Sequence, residues 1–489
     1  MSPRVLGNGN GPDGCGDREG GGLVLTDPEV TELVKEHLWP QWRSERDRLD
    51  HIDKWYRWQQ ERVLLPRQAT PEHKRLADMS RTPWLNLVVT TVAQCMYVDG
   101  YRSGHDESEG EDGDQGPWRT WQANKLGNRQ VAIHRSALAY GQAFMTVVPG
   151  TDYQGRPTSV MRGASPRNMY AQWEDPAEDD WPRFAMRVVP GSPSTVRVYD
   201  DEAVYSLTVD SDAANIQVLG VEKHGAGVCP VVRYANQLDL DGRSPGEVEP
   251  FIPAAERINK TAYDRMLVQH SSSWKIRTVS GMSEPDSEEE AVRKKLELQI
   301  GDILIAEDPD TKFGTLDETP VAGFVEAWRA DIEALAAVTQ TPTHALTGQL
   351  VNLSAEALAA ARASLTQKVT ERQRAFGESH VQALRLAAGL EGDEAHADDV
   401  MARVTWQDME IRSMSQAVDA LGKAAQMLEV PKKPLWARIP GVEKSDVDEW
   451  AKLAEQEDPV ARYSAELARQ ASEGPAPSPT SSAASEPAT

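Results

Sequence analysis

Apolar residues recur at helical spacing through the last third of the chain. Between residues 354 and 388 they stand three or four positions apart, or sums of these, at Leu358, Leu365, Val369, Phe376 and Leu384. This spacing predicts one long helix, which would span about 50 Å at 1.5 Å per residue. Its apolar stripe is narrow, and because the helix is longer than a small domain is wide, a lone compact subunit would struggle to cover it. The pattern therefore favours either an assembly or a large α-rich monomer.

Helical patterns also dominate the N-terminal part of the chain. A helix is predicted to begin at TDPE, where Thr26 or Asp27 is the cap and Glu29 completes a capping box with Thr26. It is expected to end near Pro40, because proline interrupts a helix. Further helices are predicted up to Leu65, from Trp84 to a turn at Asp99 and Gly100, over 250–274, from about Val321 to Thr339, over 408–428 and over 444–457.

The pattern changes between about Ala143 and Asn236 to short runs rich in β-branched and aromatic residues. Turns containing Gly, Pro and Asp separate these runs. They read FMTVVPG, FAMRVV, TVRVYD, AVYSLTVD, NIQVLGVEKHG and CPVVRYAN. We expect a mostly antiparallel β-region within an α-rich chain, which is an α+β fold. A further strand is predicted at GDILIAED, residues 301–308.

The two ends of the chain lack any periodicity. The Gly-rich residues 1–25 are expected to form a flexible arm, and GPAPSPTSSAASEPAT, residues 474–489, a disordered tail. No signal-peptide core and no run of 18 apolar residues is seen, so we expect no membrane partner. Cys15, Cys95 and Cys229 are odd in number and widely spaced, which predicts free thiols.

The charge balance is acidic. The chain has 52 Lys and Arg against 76 Asp and Glu, a net charge of −24. A protein that wraps DNA needs the opposite balance, because its affinity comes from neutralising phosphates. An acidic surface suits a protein that lies near nucleic acid without gripping it, and it equally suits ordinary solubility.

Three motifs of catalytic or cofactor-binding type lack their structural context. Gly9, Gly11 and Gly14 match the dinucleotide fingerprint, but no strand precedes them. In the G-x-S-x-G match at Ser244 the next residue is Pro245, which has no N–H for an oxyanion hole. The acidic run DESEGEDGD, residues 106–114, has nothing to fix a metal geometry. The sequence also lacks a P-loop, so we predict no enzyme, no cofactor and no metal.

Five segments together resemble the portal proteins of tailed bacteriophages, in particular those of long non-contractile-tailed phages of Gram-positive hosts. Their order and spacing cover most of residues 28–455. They are the stretch at residues 84–101, HGAGVCPVVRYAN from His224, GRSPGEVEPFIPAAERINKTAYDRM from Gly242, TPTHALTGQLVNLSAEAL from Thr341 and VTWQDMEIRSMSQAVDAL from Val404.

The resemblance implies a ring, usually of twelve subunits, at the portal vertex of the virion, assembled in the host cytoplasm. Double-stranded DNA would be packaged through the ring and later ejected, without sequence specificity. The implied partners are the terminase large subunit, a head–tail adaptor protein, and the major capsid and scaffolding proteins.

The resemblance also implies a division of the chain. The expected parts are the wing (26–247, with its β-rich region at 143–236), a stem helix (248–274), the clip (275–320), a second stem helix (321–340), the tunnel loop (341–353), the long wing helix and return (354–407) and the crown (408–473).

Two of these parts would carry the functional residues. The tunnel loop has no Lys or Arg, as expected of a surface that DNA slides past. Its predicted channel-lining residues are Thr343, His344, Leu346, Thr347, Gln349, Leu350 and Asn352. The predicted docking residues of the clip, which would meet the motor and the adaptor, are Glu288, Glu289, Arg293, Lys294 and Lys295.

Two alternatives remain open. One is another ring-forming scaffold or adaptor component of a virion, distinguished by whether a clip-like insertion separates two long helices. The other is an acidic cytosolic enzyme, for which no convergent nucleophile, base and orienting group can be named.

Overall fold

A computed structural model describes residues 24–65, 67–104, 116–151, 155–189, 191, 194–210, 213–272, 277–280, 312–315, 320–348, 355–407, 414–436, 439, 442 and 444–457. The chain divides into two compact units, Met1–Thr405 and Trp406–Thr489. The first unit contains helices and sheets, so its fold is of mixed α+β type.

The described helices are α1 Asp27–Glu32, a π-helical segment Leu33–Leu38, α2 Trp39–Tyr56, α3 Pro71–Met79, α4 Trp84–Ala93, α5 Gly116–Ala123, α6 Leu126–Tyr140, α7 Ile252–Ser272, α8 Ala322–Val338, α9 Thr343–Thr347, α10 Ala355–Glu391, α11 Glu394–Ala397, α12 Met414–Met427, α13 Lys432–Trp436 and α14 Lys444–Glu457. A short 3₁₀ turn, Glu249–Phe251, precedes α7.

The described strands are β1 Val98–Arg102, β2 Gln142–Thr151, β3 Pro157–Ala164, β4 Met169–Gln172, β5 Phe184–Val189, β6 Ser194–Tyr199, β7 Ala203–Val209, β8 Ile216–Lys223, β9 Val231–Ala235, β10 Arg277–Ser280, β11 Lys312–Thr315 and β12 Arg403–Trp406.

The first helix begins where its capping signal predicts but does not end at Pro40. The Thr26 N–H donates to Glu29 Oε2 at 2.8 Å, and this bond lowers the pKa of Glu29. The chain stays helical through Pro40 because the π-helical segment just before it widens the turn, leaving room for the proline ring.

The second predicted helix is too long, since α2 ends at Tyr56 rather than Leu65. Trp58, with φ +46°, lies beyond its end.

The predicted turn at Asp99 and Gly100 is also wrong. The helix from Trp84 ends at Ala93, and both residues lie in β1, which pairs with β12. The tertiary contact explains the difference: Thr405 Oγ1 of β12 donates to Asp99 Oδ1 at 2.8 Å, and a Cβ on Gly100 would come within 2.6 Å of the same hydroxyl oxygen.

The β-region is antiparallel, as predicted, and it forms two sheets with strand orders β3-β2-β9 and β4-β5-β6-β7-β8. All six predicted runs are strands. Two further strands, β3 and β4, were not predicted from the sequence, because polar residues and a glycine hide the alternation in β3 and because β4 has only four residues.

One face of the five-stranded sheet packs against the N-terminal helices. The buried side chains that meet there are Val30, Val34, Leu38, Trp39 and Trp42 from the helices and Met186, Val188, Val196, Val198, Tyr205, Leu207 and Val209 from the sheet. A second cluster joins the two sheets through Phe144, Val231, Ala185 and Tyr199. Burial of these apolar surfaces stabilises the first unit.

The predicted long helix is α10, which has 37 residues. The expectation that a lone subunit would struggle to cover it is wrong for most of its length. From residue 365 onward its stripe is buried in the first unit, against the three-stranded sheet and α5. Exposed positions concentrate nearer its start, at 360, 361, 363, 364, 366 and 367.

In the second unit the described residues form α12, α13 and α14. The helix expected over 408–428 is observed as α12 from Met414, and α14 matches the expected 444–457. Trp436 and Trp450 stack edge to face, with ring centroids 6.3 Å apart.

Several predictions fall outside the described residues: most of the arm, the acidic run 106–114, the strand 301–308, the tail and Cys15. Cys95 and Cys229 are free thiols. In the described part of the chain, no helix is long and apolar enough to cross a membrane. Those same residues contain no group of three or more His, Cys, Asp or Glu arranged to hold a metal ion.

Candidate functional site

Helices α7 and α8 pack against each other in antiparallel directions. Arg257 Nε donates to Asp331 Oδ1 at 2.8 Å, and one turn along α7 Thr261 Oγ1 donates to Asp331 Oδ2 at 3.3 Å. Further along, the Arg265 guanidinium lies 5.1 Å from the ring centroid of Trp328. The buried residues Ile258, Ile332, Leu335 and Ala336 fill the space between the two helices and α4.

The stretch between these helices begins and ends in strands. β10 follows α7 and β11 precedes α8, and the two pair antiparallel, with Arg277 opposite Thr315 and Ser280 opposite Lys312. The chain therefore leaves the helix pair and returns to it along neighbouring paths. The predicted docking residues Glu288, Glu289, Arg293, Lys294 and Lys295 lie outside the described residues.

One row of exposed residues on α8 is made of small side chains, and the exposed Glu326, Arg329 and Glu333 lie beside it. Gly323, Ala327, Ala330, Ala334 and Ala337 follow one another at intervals of three and four, and all are exposed. Val338 beside them is 58% exposed. A face of this kind allows another helix to approach closely.

A tight corner follows α8. Thr339 Oγ1 donates to Leu335 O at 2.7 Å, and the Thr341 N–H donates to Ala336 O at 3.0 Å across Gln340, whose φ is +54°. Pro342 then starts α9, and Gly348, with φ +67°, ends it in the left-handed conformation that glycine adopts without strain. The corner thus carries a short helix instead of an extended loop.

The described part of the predicted tunnel loop has two different faces. Thr343 is exposed, and His344 and Thr347 are half-buried. Leu346, also predicted to line a channel, is instead only 7% exposed and packs with Trp84 and Ile332 in the core of its own subunit. Its apolar side chain anchors α9, because that position faces inward. Gln349, Leu350 and Asn352 lie outside the described residues.

A groove of about 610 Å³ runs beside this corner. It is bounded by α8, α9 and the start of α10, through Trp328, Ile332, Ala336, Leu346, Ala361 and Ser364. The groove thus lies where the exposed first part of α10 meets the corner.

A buried cluster of charged groups ties this corner to the long helix. Lys368 Nζ of α10 donates to Glu247 Oε2 at 2.6 Å and to the Thr339 carbonyl at 2.9 Å. Arg372 Nη2 lies 3.3 Å from Glu247 Oε1. The Lys368, Arg372 and Glu247 side chains are 5%, 1% and 5% exposed. Burial lowers the pKa of Lys368, and the Glu247 carboxylate opposes that shift.

Glu247 is held in place by close backbone packing. Its N–H donates to Leu138 O at 2.7 Å, at the end of α6. Gly141 has φ +96°, and a Cβ there would lie 1.9 Å from Ser244 O, while a Cβ on Gly246 would lie 2.5 Å from Ala139 O. Ser244 Oγ donates to Gly141 O at 2.5 Å, so this hydroxyl serves as a structural hydrogen-bond donor in the same turn.

The sequence did not predict the charged cluster, although a signal was present. Lys368 and Arg372 follow Leu365 at the spacing of three and seven that marks the buried stripe of α10. Charged residues at such positions are rarely buried unless paired. Their partner could not be found, because Glu247 is 121 residues away from Lys368.

Comparison with known proteins identifies one family. The family model described as phage portal protein, SPP1 Gp6-like, matches residues 35–460. The portal protein of Mycobacterium phage D29 is 26% identical over 366 residues, covering 69% of this chain and 71% of that protein. The portal protein of Mycobacterium phage L5 is 26% identical over 364 residues, with coverage of 69% and 71%.

Among solved structures, a chain described as "Neck of empty GTA particle computed with C6 symmetry" aligns with 76% of this chain and 96% of its own length. The identity is 11% and the TM-score 0.45. Because the family model covers most of the sequence, the chain belongs to the SPP1 Gp6-like family of phage portal proteins.

Proposed function

We propose that this portal-family chain forms a closed ring around a channel through which double-stranded DNA enters and leaves a phage capsid. The observation that carries the proposal is the corner after α8. A packed helix pair ends in a short helix without Lys or Arg among residues 341–348, and its Thr343 side chain is exposed. A surface free of fixed cations lets phosphates pass without the counterion release that makes binding tight.

The exposed face of α8 supports the ring. Its row of alanines would let the α7–α8 pair of the next subunit pack closely, as repeated contacts of one kind around a closed ring require. We propose twelve subunits, in keeping with the resemblance described above. In this arrangement α7 and α8 are the stem helices, and residues 341–353 are the tunnel loop.

The remaining parts follow from the same arrangement. Residues 275–320 would be the clip that binds the terminase large subunit and later the head–tail adaptor, and 408–473 would be the crown. The paired strands β10 and β11 support a clip that leaves and rejoins the stem at one place. The major capsid and scaffolding proteins would surround the wing, 26–247, in the virion, after assembly in the host cytoplasm.

The test adds positive charge to the corner without touching its core. Thr343→Lys combined with His344→Lys should leave ring formation unchanged, as seen in class-averaged electron micrographs. It should slow genome packaging measured as DNase-protected DNA, because lysines would hold the phosphates. The matched control is Thr343→Gln with His344→Gln, which keeps side-chain size without charge.

Two results would contradict the proposal. Normal packaging by the lysine variant would remove this corner from the channel surface. A light-scattering mass equal to one 53.9 kDa chain at micromolar concentration would argue against a ring.

A further inference from the structure

We propose that Lys368 of α10 is a positioning residue for the tunnel loop, because it joins the end of α8 and the segment before α7 to the long helix. This inference rests on the proposed function, because it assigns a role to residues that hold the loop where DNA would pass.

The hydrogen-bond geometry of the ammonium group supports this role. Its two described acceptors, Glu247 Oε2 and the Thr339 carbonyl, belong to segments on either side of the α7–α8 pair in sequence. Thr339 is the residue that caps the C-terminal end of α8, and its carbonyl is one of the last groups of that helix. A cation there interacts favourably with the negative end of the helix dipole.

We call the Lys368 contact with Glu247 and Thr339 the clamp. Its Glu247 side is held firmly by the folded subunit. Glu247 is fixed against α6 and β2 by the close approach at Gly141 and Gly246 and by the bond from its N–H to Leu138. Asn236 Nδ2 lies 3.4 Å from Glu247 Oε1, which adds a contact from the residue after β9. The carboxylate therefore belongs to the folded body of the subunit, and Lys368 transmits its position to Thr339.

On the loop side, the buried Thr341 and Pro342 and the bond from the Thr341 N–H to Ala336 O hold the corner, and fewer contacts hold the helix after it. Beyond Thr339 the chain makes a positive-φ turn at Gln340 and a helix of five residues. Apart from Leu346, the side chains of α9 are exposed or half-buried. A short helix with one buried anchor is at the low end of local stability, so the direction in which it leaves α8 depends on how that end is held.

A buried ion pair is weak evidence for added stability, because desolvation of both groups offsets their attraction. Well-packed hydrophobic residues of similar volume often stabilise a fold as well as such a pair does. A role in orienting the loop explains a lysine in the buried stripe of α10, where it forms directional bonds to a carboxylate and a carbonyl together.

The test is amide hydrogen exchange on the full-length protein, with Lys368→Met as the main variant. Methionine keeps the apolar stem and removes the ammonium. We expect the amides of Thr341, Ala345 and Gly348 to exchange roughly ten to a hundred times faster, which is the effect of losing one hydrogen bond to a charged group. Amides of α10 beyond Phe376 should change much less. The matched control, Lys423→Met, removes an exposed lysine paired with Asp419 on α12.

A second variant separates the loss of the Lys368 hydrogen bonds from the effect of leaving the Glu247 carboxylate without its lysine. In Lys368→Met combined with Glu247→Gln the Glu247 carboxylate is gone and Arg372 keeps its ion pair with Glu371 at 2.9 Å, yet the Thr339 carbonyl is still without its Lys368 donor. We expect the fast loop exchange to persist in this double variant. Restoration of slow exchange would overturn the proposal, and so would equal acceleration throughout the first unit or no acceleration at all.

Packaging by the same variant gives an independent reading. Lys368→Met should form rings and package DNA less completely than the parent chain. Loop-selective exchange together with normal packaging would overturn the link between the clamp and DNA passage. The lysine substitutions at Thr343 and His344 test the proposed function separately, because they leave the clamp intact.

Discussion

At the scale of single residues, His134, His380 and Tyr234 form a buried row of hydrogen-bonded aromatic side chains. The His134 Nδ1–H donates to Met96 O at 3.2 Å, so its Nε2 accepts from His380 Nε2–H at 2.8 Å. Tyr234 OH then donates to His380 Nδ1 at 2.9 Å. Both imidazoles have no exposed surface. Burial lowers the pKa of His134 to about 4 and that of His380 well below its usual value.

This row predicts a loss of stability in mild acid. Both histidines have pKa values in the folded protein below the unfolded value near 6.5. At a pH between the folded and the unfolded pKa, the unfolded chain therefore binds more protons than the folded one. The stabilisation is complete above about pH 6.5 and falls as the pH drops toward 4, by up to about 1.4 kcal/mol per pH unit for each group. Thermal denaturation from pH 7.5 to 5 should show the decline, and His380→Phe should make the pH dependence shallower.

The control for that measurement is His37→Gln, which removes an exposed imidazole from the π-helical segment. An equal change of slope in both variants would contradict the assignment to the buried row.

Gly141 gives a second prediction at the residue scale. Its φ is +96°, and a Cβ at this position would lie only 1.9 Å from Ser244 O, so there is no room for a side chain. Gly141→Ala should therefore lower the melting temperature by several degrees, as strained positions do. Gly422→Ala is the opposite case: open space surrounds this helical glycine, and alanine should stabilise α12 by up to about 1 kcal/mol. Similar melting temperatures for the two variants would count against this view of the turn.

At the scale of secondary-structure elements, α8 has two faces with different roles. Ile332, Leu335 and Ala336 are buried within the subunit, whereas Ala330 and Ala334 are exposed on the other face. The row of small residues on the exposed face leaves room for a neighbouring helix to approach closely. In α10 the difference lies along the helix instead: exposed positions concentrate near its start, and a buried stripe begins at Leu365.

The exposed face of α8 predicts how assembly will fail. Ala330→Glu with Ala334→Glu should prevent rings from closing, because two carboxylates per subunit would be forced into a close helix contact. Circular dichroism should remain that of the folded subunit, while light scattering reports smaller species. Ala132→Glu, at an exposed position of α6, is the matched control and should leave the rings intact. Normal rings in the double variant would place the subunit contact elsewhere.

At the scale of the whole molecule, charge is distributed in a way that suits its proposed partners. The chain carries a net charge of −24, yet Arg293, Lys294 and Lys295 stand together in the proposed clip beside Glu288 and Glu289. A mixed set of charges suits contacts that exchange between partners and depend on salt.

Charge reversal tests this part of the molecule. Arg293→Glu, Lys294→Glu and Lys295→Glu together should weaken binding of the terminase large subunit, most clearly at low salt, while rings persist. Binding can be measured with purified rings at two ionic strengths. Unchanged affinity and packaging would exclude these three residues from the docking surface.

The sequence by itself determined the long helix, the six predicted strands, the paired helices around residues 275–320 and the portal family, because these depend on local periodicity and on the order of segments. Only the tertiary structure decided which side chains meet. Lys368 reaches Glu247 across 121 residues and His134 reaches His380 across 246. The tertiary structure also decided that Leu346 lies in the core and that the chain stays helical through Pro40. Burial and pairing depend on packing between distant segments, which no local pattern records.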